Sequence, residues 1–316
     1  MQSESASRAS PILFSPERFF CSYLEKRLGL FEAGSLRLEL PNGKVLYHKG
    51  THPGPAAVIV VERWRLLPKL FVEGEIGLAR GYVNGDWSTP NLTDVLEFGL
   101  ANEASLSVAT GGLGAAHAFN RLAHSRNANT RSGSRRNIAA HYDLGNSFYA
   151  LWLDPDMTYS SGIYENQFET LEIAQERKLK RAVGLMDLKG GESVLEIGCG
   201  WGSLARRIAE AGAVQLTGIS LSQEQIDYAR ANISGTALNR KIQFELRDYR
   251  SITERYDRIV SIEMFEAVGE RYWPVFFDRL RGSLNKNGSA VLQVITIADE
   301  LFESYRYRPD FIQQYI

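Results

Sequence analysis

Three glycines follow an apolar strand and a carboxylate in the segment VLEIGCGWG, residues 194–202. Gly198, Gly200 and Gly202 stand at every second position, and without a Cβ they allow positive φ values and close approach of a ligand to the backbone. Glu196 lies two residues before the first of these glycines. The pattern is typical of the nucleotide-binding turn of a Rossmann-like sheet, where a strand ends and a helix begins.

The residues around this turn favour one class of nucleotide over another. Dinucleotide-dependent oxidoreductases have a glycine at the sixth position and an acidic residue about 20 residues later. Here the sixth position is Ser203, and the next predicted strand ends in Ser220. Glu196 instead precedes the glycines, where its carboxylate can face the amino acid end of S-adenosylmethionine. A P-loop is excluded because no Gly-Lys-Ser/Thr follows, so the turn indicates a Rossmann-like methyltransferase.

The second half of the chain alternates strand and helix patterns, which predicts an α/β fold with a parallel sheet covered on both faces. Ser222 is the predicted N-cap of one helix, with Gln225 three residues on. Ligands of such sheets bind at the carboxyl ends of the strands. The predicted strands are 193–198, 214–219, 242–246, 257–263 and 289–297, and the predicted helices are 171–186, 204–211, 223–232 and 272–284.

The front of the chain predicts a small α+β domain. Leucines alternate over 36–40, a Pro-Asn-Gly turn follows at 41–43, and the alternation resumes over 45–47, which indicates a β-hairpin. A further strand is predicted over 58–61 and a helix over 92–102. With 44% hydrophobic residues in 316, the chain has enough apolar side chains for two domains.

A basic tract without acidic residues separates the two halves, over 104–142. Such a tract is either a solvated connector or a site of attraction to anionic lipid, where each arginine contributes about 1 kcal/mol before screening. We predict an N-terminal domain over 1–120, a linker over 121–137 and a second domain over 138–316. The arginines of the tract are Arg121, Arg126, Arg131, Arg135 and Arg136.

Composition excludes several kinds of site and partner. A net charge of −1 gives no overall attraction to nucleic acid. Cys21 and Cys199 are too few for a disulfide framework, and neither belongs to a metal-ligand cluster. The aliphatic run 56–61 is far too short to span a bilayer. We expect a cytoplasmic protein without a metal site, which touches a membrane only peripherally.

Five motifs in fixed order closely resemble the cyclopropane fatty acid synthase family. The resemblance covers about residues 70–316, including GYVNGDW at 81–87, and implies a lipid-modifying methyltransferase with a lipid-presenting front domain. Chains of that family continue past Ile316, so we expect the strands that close the sheet to be missing. The motifs are HYDLGNSFYALWLDPDMTYSSGIY (141–164), VLEIGCGWG (194–202), GISLSQEQ (218–225), RDYR (247–250) and RIVSIEMFEAVG (258–269).

The resemblance implies a set of contacts to S-adenosylmethionine. Some positions keep a structural alternative: Tyr159 as a core residue, Gln225 as the partner of the helix cap and Asp248 as a turn former. The implied contacts are Tyr159 and Ser160 as a closing pair, Gly198 and Gly200 as the floor, Ser220, Leu221 and Gln225 at the ribose, and Asp248 and Tyr249 at the adenine.

The resemblance also implies a base that removes a proton after methyl transfer. This base is a bicarbonate held by a glutamate, a cysteine, a histidine, backbone groups and a tyrosine whose place lies beyond Ile316. Glu266 retains the glutamate, although it could instead cap the following helix, and Ile295 retains the apolar position. Ser161 replaces the cysteine and Gln293 replaces the histidine. Both replacements can hydrogen-bond an oxyanion, so we expect an anion site of altered strength.

These features predict methyl or methylene transfer to the double bond of unsaturated acyl chains in membrane phospholipids. The product is a cyclopropane or, if the anion is held less well, a methyl-branched chain. The expected enzyme lies peripherally on the anionic inner face of the membrane, and its oligomeric state stays open, a homodimer included. The alternatives are a truncated protein that binds cofactor or lipid without turnover, and a methyltransferase for a small soluble molecule.

Overall fold

The structure is a computed structural model that describes residues 16–105, 144–212 and 214–307. The described residues fall into two compact units, which we call unit 1 (residues 16–105 with 303–307) and unit 2 (residues 144–302). The basic tract, with its arginines at 121–136, lies outside the described residues. Among the helices that the structure does describe, none is both long and apolar enough to cross a membrane.

Unit 1 is an α+β unit, as predicted, and is built on a four-stranded sheet of order β2-β1-β3-β4. Strands β1 and β2 form the expected antiparallel hairpin, and β1 runs parallel to β3. Its elements are α1 (Pro16–Leu28), β1 (Ala33–Glu39), β2 (Val45–Lys49), β3 (His52–Val61), α2 (Leu66–Glu73), α3 (Glu75–Val83), β4 (Trp87–Ser88) and α4 (Leu92–Ala101).

The core of unit 1 lies between one face of this sheet and helix α4. Leu36 and Leu38 are each 6% exposed, because alternate side chains of a strand share a face. The end of α4 is attached to the start of β1 through Asn102, whose side chain accepts from Ala33 N at 3.0 Å and donates to Ala33 O at 2.9 Å. These bonds fix the sheet on the helix and bury the polar side chain with its partners satisfied.

A buried carboxylate joins helix α2 to the GYVNGDW segment. The side chain of Asp86 is fully buried and accepts a hydrogen bond from Lys69 Nζ at 2.7 Å and another from Arg65 Nε. Burial alone would raise the pKa of Asp86, but these two donors outweigh it and hold the pKa below its usual value. The motif is therefore a structural element of unit 1, where its aspartate satisfies two cations.

Unit 2 contains a parallel five-stranded sheet of order β7-β6-β5-β8-β9, the doubly wound α/β fold that the sequence predicts. Strand β5 is central, and its Val194 and Leu195 have no solvent exposure. The elements are α5 (Asn146–Tyr149), α6 (Leu171–Met186), β5 (Ser193–Ile197), α7 (Ser203–Ala211), β6 (Gln215–Ser220), α8 (Gln223–Ile233), β7 (Ile242–Leu246), β8 (Tyr256–Ile262), α9 (Trp273–Gly282) and β9 (Leu284–Gln293). One more helix, α10 (Asp299–Tyr307), begins in the range of unit 2 and ends in that of unit 1.

The last strand of unit 2 does not lie where the sequence predicts it. The apolar run predicts a strand over 289–297, whereas β9 spans Leu284–Gln293. A strand ends where its neighbour stops offering hydrogen bonds, and β8 ends at Ile262, which pairs with Gln293. At the other end an irregularity in the pairing lets β9 begin opposite Tyr256, earlier than the apolar pattern indicates.

Substitution of Asp86 by Ala should destabilise unit 1. It removes the acceptor of two charged donors, so we expect the free energy of unfolding to fall by about 1.5–3 kcal/mol, the range for hydrogen bonds to charged groups. Because the folded pKa of Asp86 lies below the unfolded one, this stabilisation is present above the unfolded pKa and is lost as pH falls through the folded pKa. Hydrogen exchange of the β1 and β3 amides, at neutral and at acid pH, measures the effect.

The matched control is Glu39→Ala, which removes a solvent-exposed ion pair with Arg37. Exposed pairs contribute little, so exchange in this variant should stay within about 1 kcal/mol of the parent chain. Equal destabilisation in the two variants would show that the buried interactions of Asp86 stabilise the fold no more than an exposed ion pair does.

Candidate functional site

The glycine turn after β5 has the backbone that its sequence predicts. Gly198, Gly200 and Gly202 have φ values of 81°, 53° and 87°. The Gly198 and Cys199 amides both donate to Ile219 O at 2.9 Å, which fixes the turn to the end of β6. A Cβ on Gly202 would lie 2.8 Å from the Phe244 ring, whereas a Cβ on Gly200 would meet no atom within 4 Å. Gly202 is therefore required by packing, and Gly200 borders open space suited to a ligand.

Glu196 lies in β5, directly before this turn, and is 3% exposed. Burial raises the pKa of Glu196 to about 8, against the opposing effects of the Lys178 charge and the Ala205 amide. Its Oε2 is buried and has no hydrogen-bond partner among the residues that the structure describes. Buried acceptors are nearly always paired in folded proteins. The unpaired oxygen is thus an observation of this structure that indicates a missing cationic or donor group.

A buried lysine on helix α6 organises the segment that the resemblance assigns to the cofactor. Lys178 is 2% exposed, and its Nζ donates to Ser160 Oγ at 2.5 Å. Burial lowers the pKa of Lys178 to about 8, opposed by the charges of Glu263, Asp154 and Glu196. Gln175, one turn earlier, donates to Ser160 O at 2.6 Å.

Sequence reasoning missed these two helix residues. Gln175 and Lys178 are three residues apart among the apolar positions that face the core, between Ala174 and Leu179. A polar pair within an apolar stripe of a helix is the signal that could have found them, since long polar side chains are rarely buried without partners.

Tyr159 belongs to an aromatic cluster beside the glycine turn. Its ring centroid lies 5.5 Å from that of Tyr149 and 5.4 Å from that of Trp152, and Tyr149 is in turn 5.1 Å from Trp201. Tyr159 keeps 38% of its surface exposed, whereas Tyr149 is 1% exposed. The core alternative therefore describes Tyr149, and Tyr159 presents one face of its ring at the surface of the cluster.

The predicted ribose contacts lie together at the end of β6. Ser222 caps helix α8 as predicted, because its hydroxyl accepts from the Gln225 amide at 3.3 Å. The Gln225 side chain does not return to the cap and instead accepts from Ser220 Oγ at 2.7 Å. Leu221, between Ser220 and the cap, is half-buried. The structure thus groups all three predicted residues where β6 ends and α8 begins.

The predicted adenine pair follows β7. Asp248 is the turn former that the structural alternative describes, since its carboxylate accepts from Arg250 N at 2.8 Å and from Arg250 Nη2 at 2.6 Å. Tyr249 is half-buried, and its ring packs edge-to-face on Phe276 at 5.4 Å. Burial also raises the pKa of Tyr249. Both residues lie past the carboxyl end of a sheet strand, as a ligand site requires.

A second polar cluster joins the ends of β8 and β9 to residue 161. We call Ser161, Glu263 and Gln293 the carboxylate clamp. Glu263 Oε1 accepts from Ser161 N at 3.0 Å, from Ser161 Oγ at 2.6 Å and from Gln293 Nε2 at 2.8 Å. Gln293 Nε2 also lies 3.1 Å from Ser161 Oγ. The structure therefore brings Ser161 and Gln293 together as predicted, but around a glutamate that sequence reasoning missed.

The other predicted pair forms a separate contact. Glu266 accepts a hydrogen bond from the backbone N–H of Ile295, so its carboxylate is turned toward the chain after β9 rather than onto the helix that follows it. Both residues are exposed. The structure thus joins Glu266 to Ile295 and separates this contact from the hydrogen bonds of the clamp.

Metal ligation and thiol chemistry find no support in the described part of the chain. No group of three His, Cys, Asp or Glu side chains there is arranged to hold a metal ion. Burial raises the pKa of Cys199 well above its ordinary value, so this thiol is a poor nucleophile.

Comparison with known proteins gives a family match and several relatives. The family described as mycolic acid cyclopropane synthetase matches residues 129–316. Tuberculostearic acid methyltransferase UfaA1 of Mycobacterium tuberculosis is 33% identical over 285 residues, 86% of this chain and 66% of the relative. Cyclopropane-fatty-acyl-phospholipid synthase of Escherichia coli is 34% identical over 236 residues, 72% of this chain and 58% of the relative.

Among solved structures, the cyclopropane synthase MmaA2 from Mycobacterium tuberculosis matches with a TM-score of 0.49 and 30% identity, covering 55% of this chain and 68% of that one. The chain spans 58 to 66% of the length of the two curated relatives described above. The family match extends over more than half of the chain and contains every predicted site residue. This confirms the resemblance drawn from the motifs: the chain belongs to the mycolic acid cyclopropane synthetase family.

Proposed function

We propose that this protein binds S-adenosylmethionine and transfers its methyl group to the double bond of an unsaturated acyl chain in a phospholipid. The observation that carries the proposal is the open face of Gly200 together with the buried, unpaired Oε2 of Glu196, four residues earlier at the end of β5. The relatives' names, a tuberculostearic acid methyltransferase and a cyclopropane-fatty-acyl-phospholipid synthase, support a lipid substrate.

The residues present fit the cofactor. A ligand ammonium would supply the missing partner of Glu196, and the open face of Gly200 leaves room for a ribose. Asp248, which already accepts from Arg250, lies past the end of β7 at the carboxyl edge of the sheet. The remaining residues proposed to hold the cofactor are Tyr159, Ser160, Gly198, Ser220, Leu221, Gln225 and Tyr249.

The bound cofactor supplies a methyl group on a sulfonium, which is electrophilic toward an alkene. An alkene is a weak nucleophile, so the protein contributes mainly by positioning the acyl chain and excluding water. Trp152 and Tyr159 are the exposed members of the aromatic cluster and offer an apolar surface for this task, supported from beneath by the buried Tyr149 and Trp201. Loss of a proton from the resulting cation gives either a cyclopropane or a methyl-branched chain.

The bicarbonate implied by the resemblance does not fit the described residues. Ser161 and Gln293 already donate to Glu263, and the Ile295 amide already donates to Glu266. A further anion would therefore lie beside two carboxylates without a free donor from this set. We propose no step through it.

A lipid substrate gives each part of the chain a role in the proposal. We propose that residues 1–120 form the lipid-presenting domain, that 121–137 are a linker and that 138–316 form the methyltransferase domain. The linker arginines would then be attracted to an anionic bilayer. We also propose that the protein is cytoplasmic, that it acts at the inner face of the membrane and that it forms a homodimer.

The proposal is tested with methyl-labelled S-adenosylmethionine and vesicles of unsaturated anionic phospholipid. We expect label in the acyl chains after hydrolysis. Hydrogen uptake by the labelled chains would identify a branched alkene, and resistance to hydrogenation would identify a cyclopropane. Label in the solvent alone, or none despite measurable cofactor binding, would contradict methyl transfer to lipid and favour a binding protein without turnover.

Substitution of Gly200 by Val tests the cofactor site directly. The new side chain would fill the open face of the turn, so we expect the affinity for S-adenosylhomocysteine to fall at least 100-fold in calorimetry. The control is Gly235→Val, at a position with φ of +75° and the same open surroundings, in the turn after α8. Both variants carry similar backbone strain. Equal losses of binding would show that strain, rather than occupation of the site, causes the effect.

The raised pKa of Glu196 leads us to expect that cofactor binding depends on pH. Because its pKa is about 8 in the free protein, it is mostly protonated at neutral pH, and an ammonium bound beside it would favour the carboxylate. Binding of S-adenosylhomocysteine should therefore release a proton, and affinity should rise up to tenfold per unit from about pH 6 to about pH 8. Calorimetry in two buffers of different ionisation enthalpy measures the release.

Glu196→Gln is the matched variant, since it keeps the shape and removes the titration. Its binding should lack the part of the proton release that Glu196 supplies, while the titration of the ligand amine is common to both proteins. The pKa of Lys178 should fall in the variant, because the charge of Glu196 raises it in the parent chain. Identical proton release in the two proteins would show that Glu196 does not meet the cofactor ammonium.

A further inference from the structure

We propose that Glu263 is the catalytic base of this protein and takes the place of an exogenous anion. The inference rests on the proposed function, because it names the group that removes the proton after methyl transfer. It follows from the carboxylate clamp, in which residues expected to bind an anion hold a carboxylate of the chain itself.

The clamp has the donor geometry of an oxyanion site. Three donors converge on one oxygen, Glu263 Oε1, at 2.6 to 3.0 Å: the Ser161 amide, the Ser161 hydroxyl and the Gln293 side-chain amide. Hydrogen bonds from neutral donors to a charged oxygen are stronger than those between neutral groups. Since all three end on Oε1, the second carboxylate oxygen is left out of the clamp and is available to accept a proton.

The backbone holds Glu263 in an unusual conformation to achieve this. Its φ is 46°, in the left-handed region that few residues other than glycine adopt, directly after strand β8 ends at Ile262. The Glu263 amide donates to Gln293 O at 2.8 Å, which extends the β8–β9 pairing by one bond. Strain of this kind persists where the surroundings over-determine it, and it is common at active sites.

Glu263 lies close to the proposed cofactor residues. The side chain of the next residue, Met264, would lie 3.1 Å from a Cβ on Gly198. Glu263 is therefore the neighbour in sequence of a residue that packs on the glycine turn. Burial raises the pKa of Tyr159, and the negative charge of Glu263 adds to this effect. The same charge opposes the burial that lowers the pKa of Lys178. Glu263 is half-buried, so it is near enough to act on both groups and is still partly open to solvent.

The proposed step balances as follows. The alkene π pair forms a carbon–carbon bond to the methyl group, the sulfur keeps the pair of the broken carbon–sulfur bond, and the neighbouring chain carbon becomes a cation. Glu263 accepts a proton from the new methyl group, and the released C–H pair closes the ring. If the proton comes instead from the adjacent chain carbon, the pair forms a double bond beside a methyl branch. The carboxylic acid then returns its proton to water.

Binding of ¹³C-labelled bicarbonate, observed by NMR line broadening, tests whether Glu263 occupies the anion position. The parent chain should show no saturable binding. Glu263→Gly should bind bicarbonate, since it frees the Ser161 and Gln293 donors and a glycine accepts φ of 46° without strain. Asn287→Gly is the control, because it relieves another left-handed residue of the β8–β9 pair, φ 68° near the start of β9 and at the opposite end from the clamp, and leaves the clamp intact. It should behave like the parent chain.

Saturable bicarbonate binding to the parent chain with the affinity of Glu263→Gly would overturn the proposal, and so would failure of Glu263→Gly to bind. This arm needs no turnover. It therefore decides the role of the clamp even if lipid methylation fails, in which case the proposed function falls separately.

The rate of acyl-chain methylation provides the second test of the proposal. A general base contributes about 10²–10⁴-fold, so Glu263→Gln should lower the rate of acyl-chain methylation by at least about 100-fold with unchanged affinity for S-adenosylhomocysteine. Added bicarbonate should restore part of the rate of Glu263→Gly and leave the parent rate unchanged. A parent chain that requires bicarbonate, or a Glu263→Gln variant with the parent rate, would show that another group is the base.

Discussion

The arrangement of unit 2 depends on the burial of one cation, Lys178. A buried ammonium is costly unless charges and hydrogen bonds compensate it, and this one is surrounded by the charges of Glu263, Asp154 and Glu196. Its hydrogen bond to Ser160 fixes the segment after the aromatic cluster onto helix α6. Ser161 follows directly and can therefore reach the end of β8. One buried lysine thus couples the cofactor-side carboxylate, the closing segment and the clamp.

Much of the fold could be predicted because it depends on local pattern. Buried parallel strands are apolar runs, and β7, 242–246, matches its prediction residue for residue. The glycine turn and the Ser222 cap are also local, since each is fixed by residues within a few positions of one another. Strand β9 was displaced because its limits depend on pairing with β8, which the apolar run of its own sequence does not contain.

Glu263 was missed for the same reason that β9 was displaced: its contacts are with residues far away in the chain. Glu263 meets Ser161 across 102 positions of the chain, and Gln293 meets Ser161 across 132. No periodicity or motif in one segment reports such distances. The resemblance supplied Ser161 and Gln293 because they stand at positions that carry a role in the family. Glu263 also lies in one of the motifs, but the resemblance gives it no role. Only the three donors on its oxygen indicate what it does.

Three carboxylates illustrate how surroundings divide roles within one chain. Asp86 is buried between two cations that lower its pKa, and it serves structure. Glu196 is buried with an oxygen unpaired, so burial raises its pKa and leaves it suited to a cationic ligand. Glu263 is clamped through one oxygen at the rim of the sheet. A base held by backbone in this way has a single position, whereas a diffusible anion can adapt to its substrate. The choice between ring and branch then falls to the residues that position the acyl chain, because they determine which hydrogen of the cation lies nearest to that fixed oxygen.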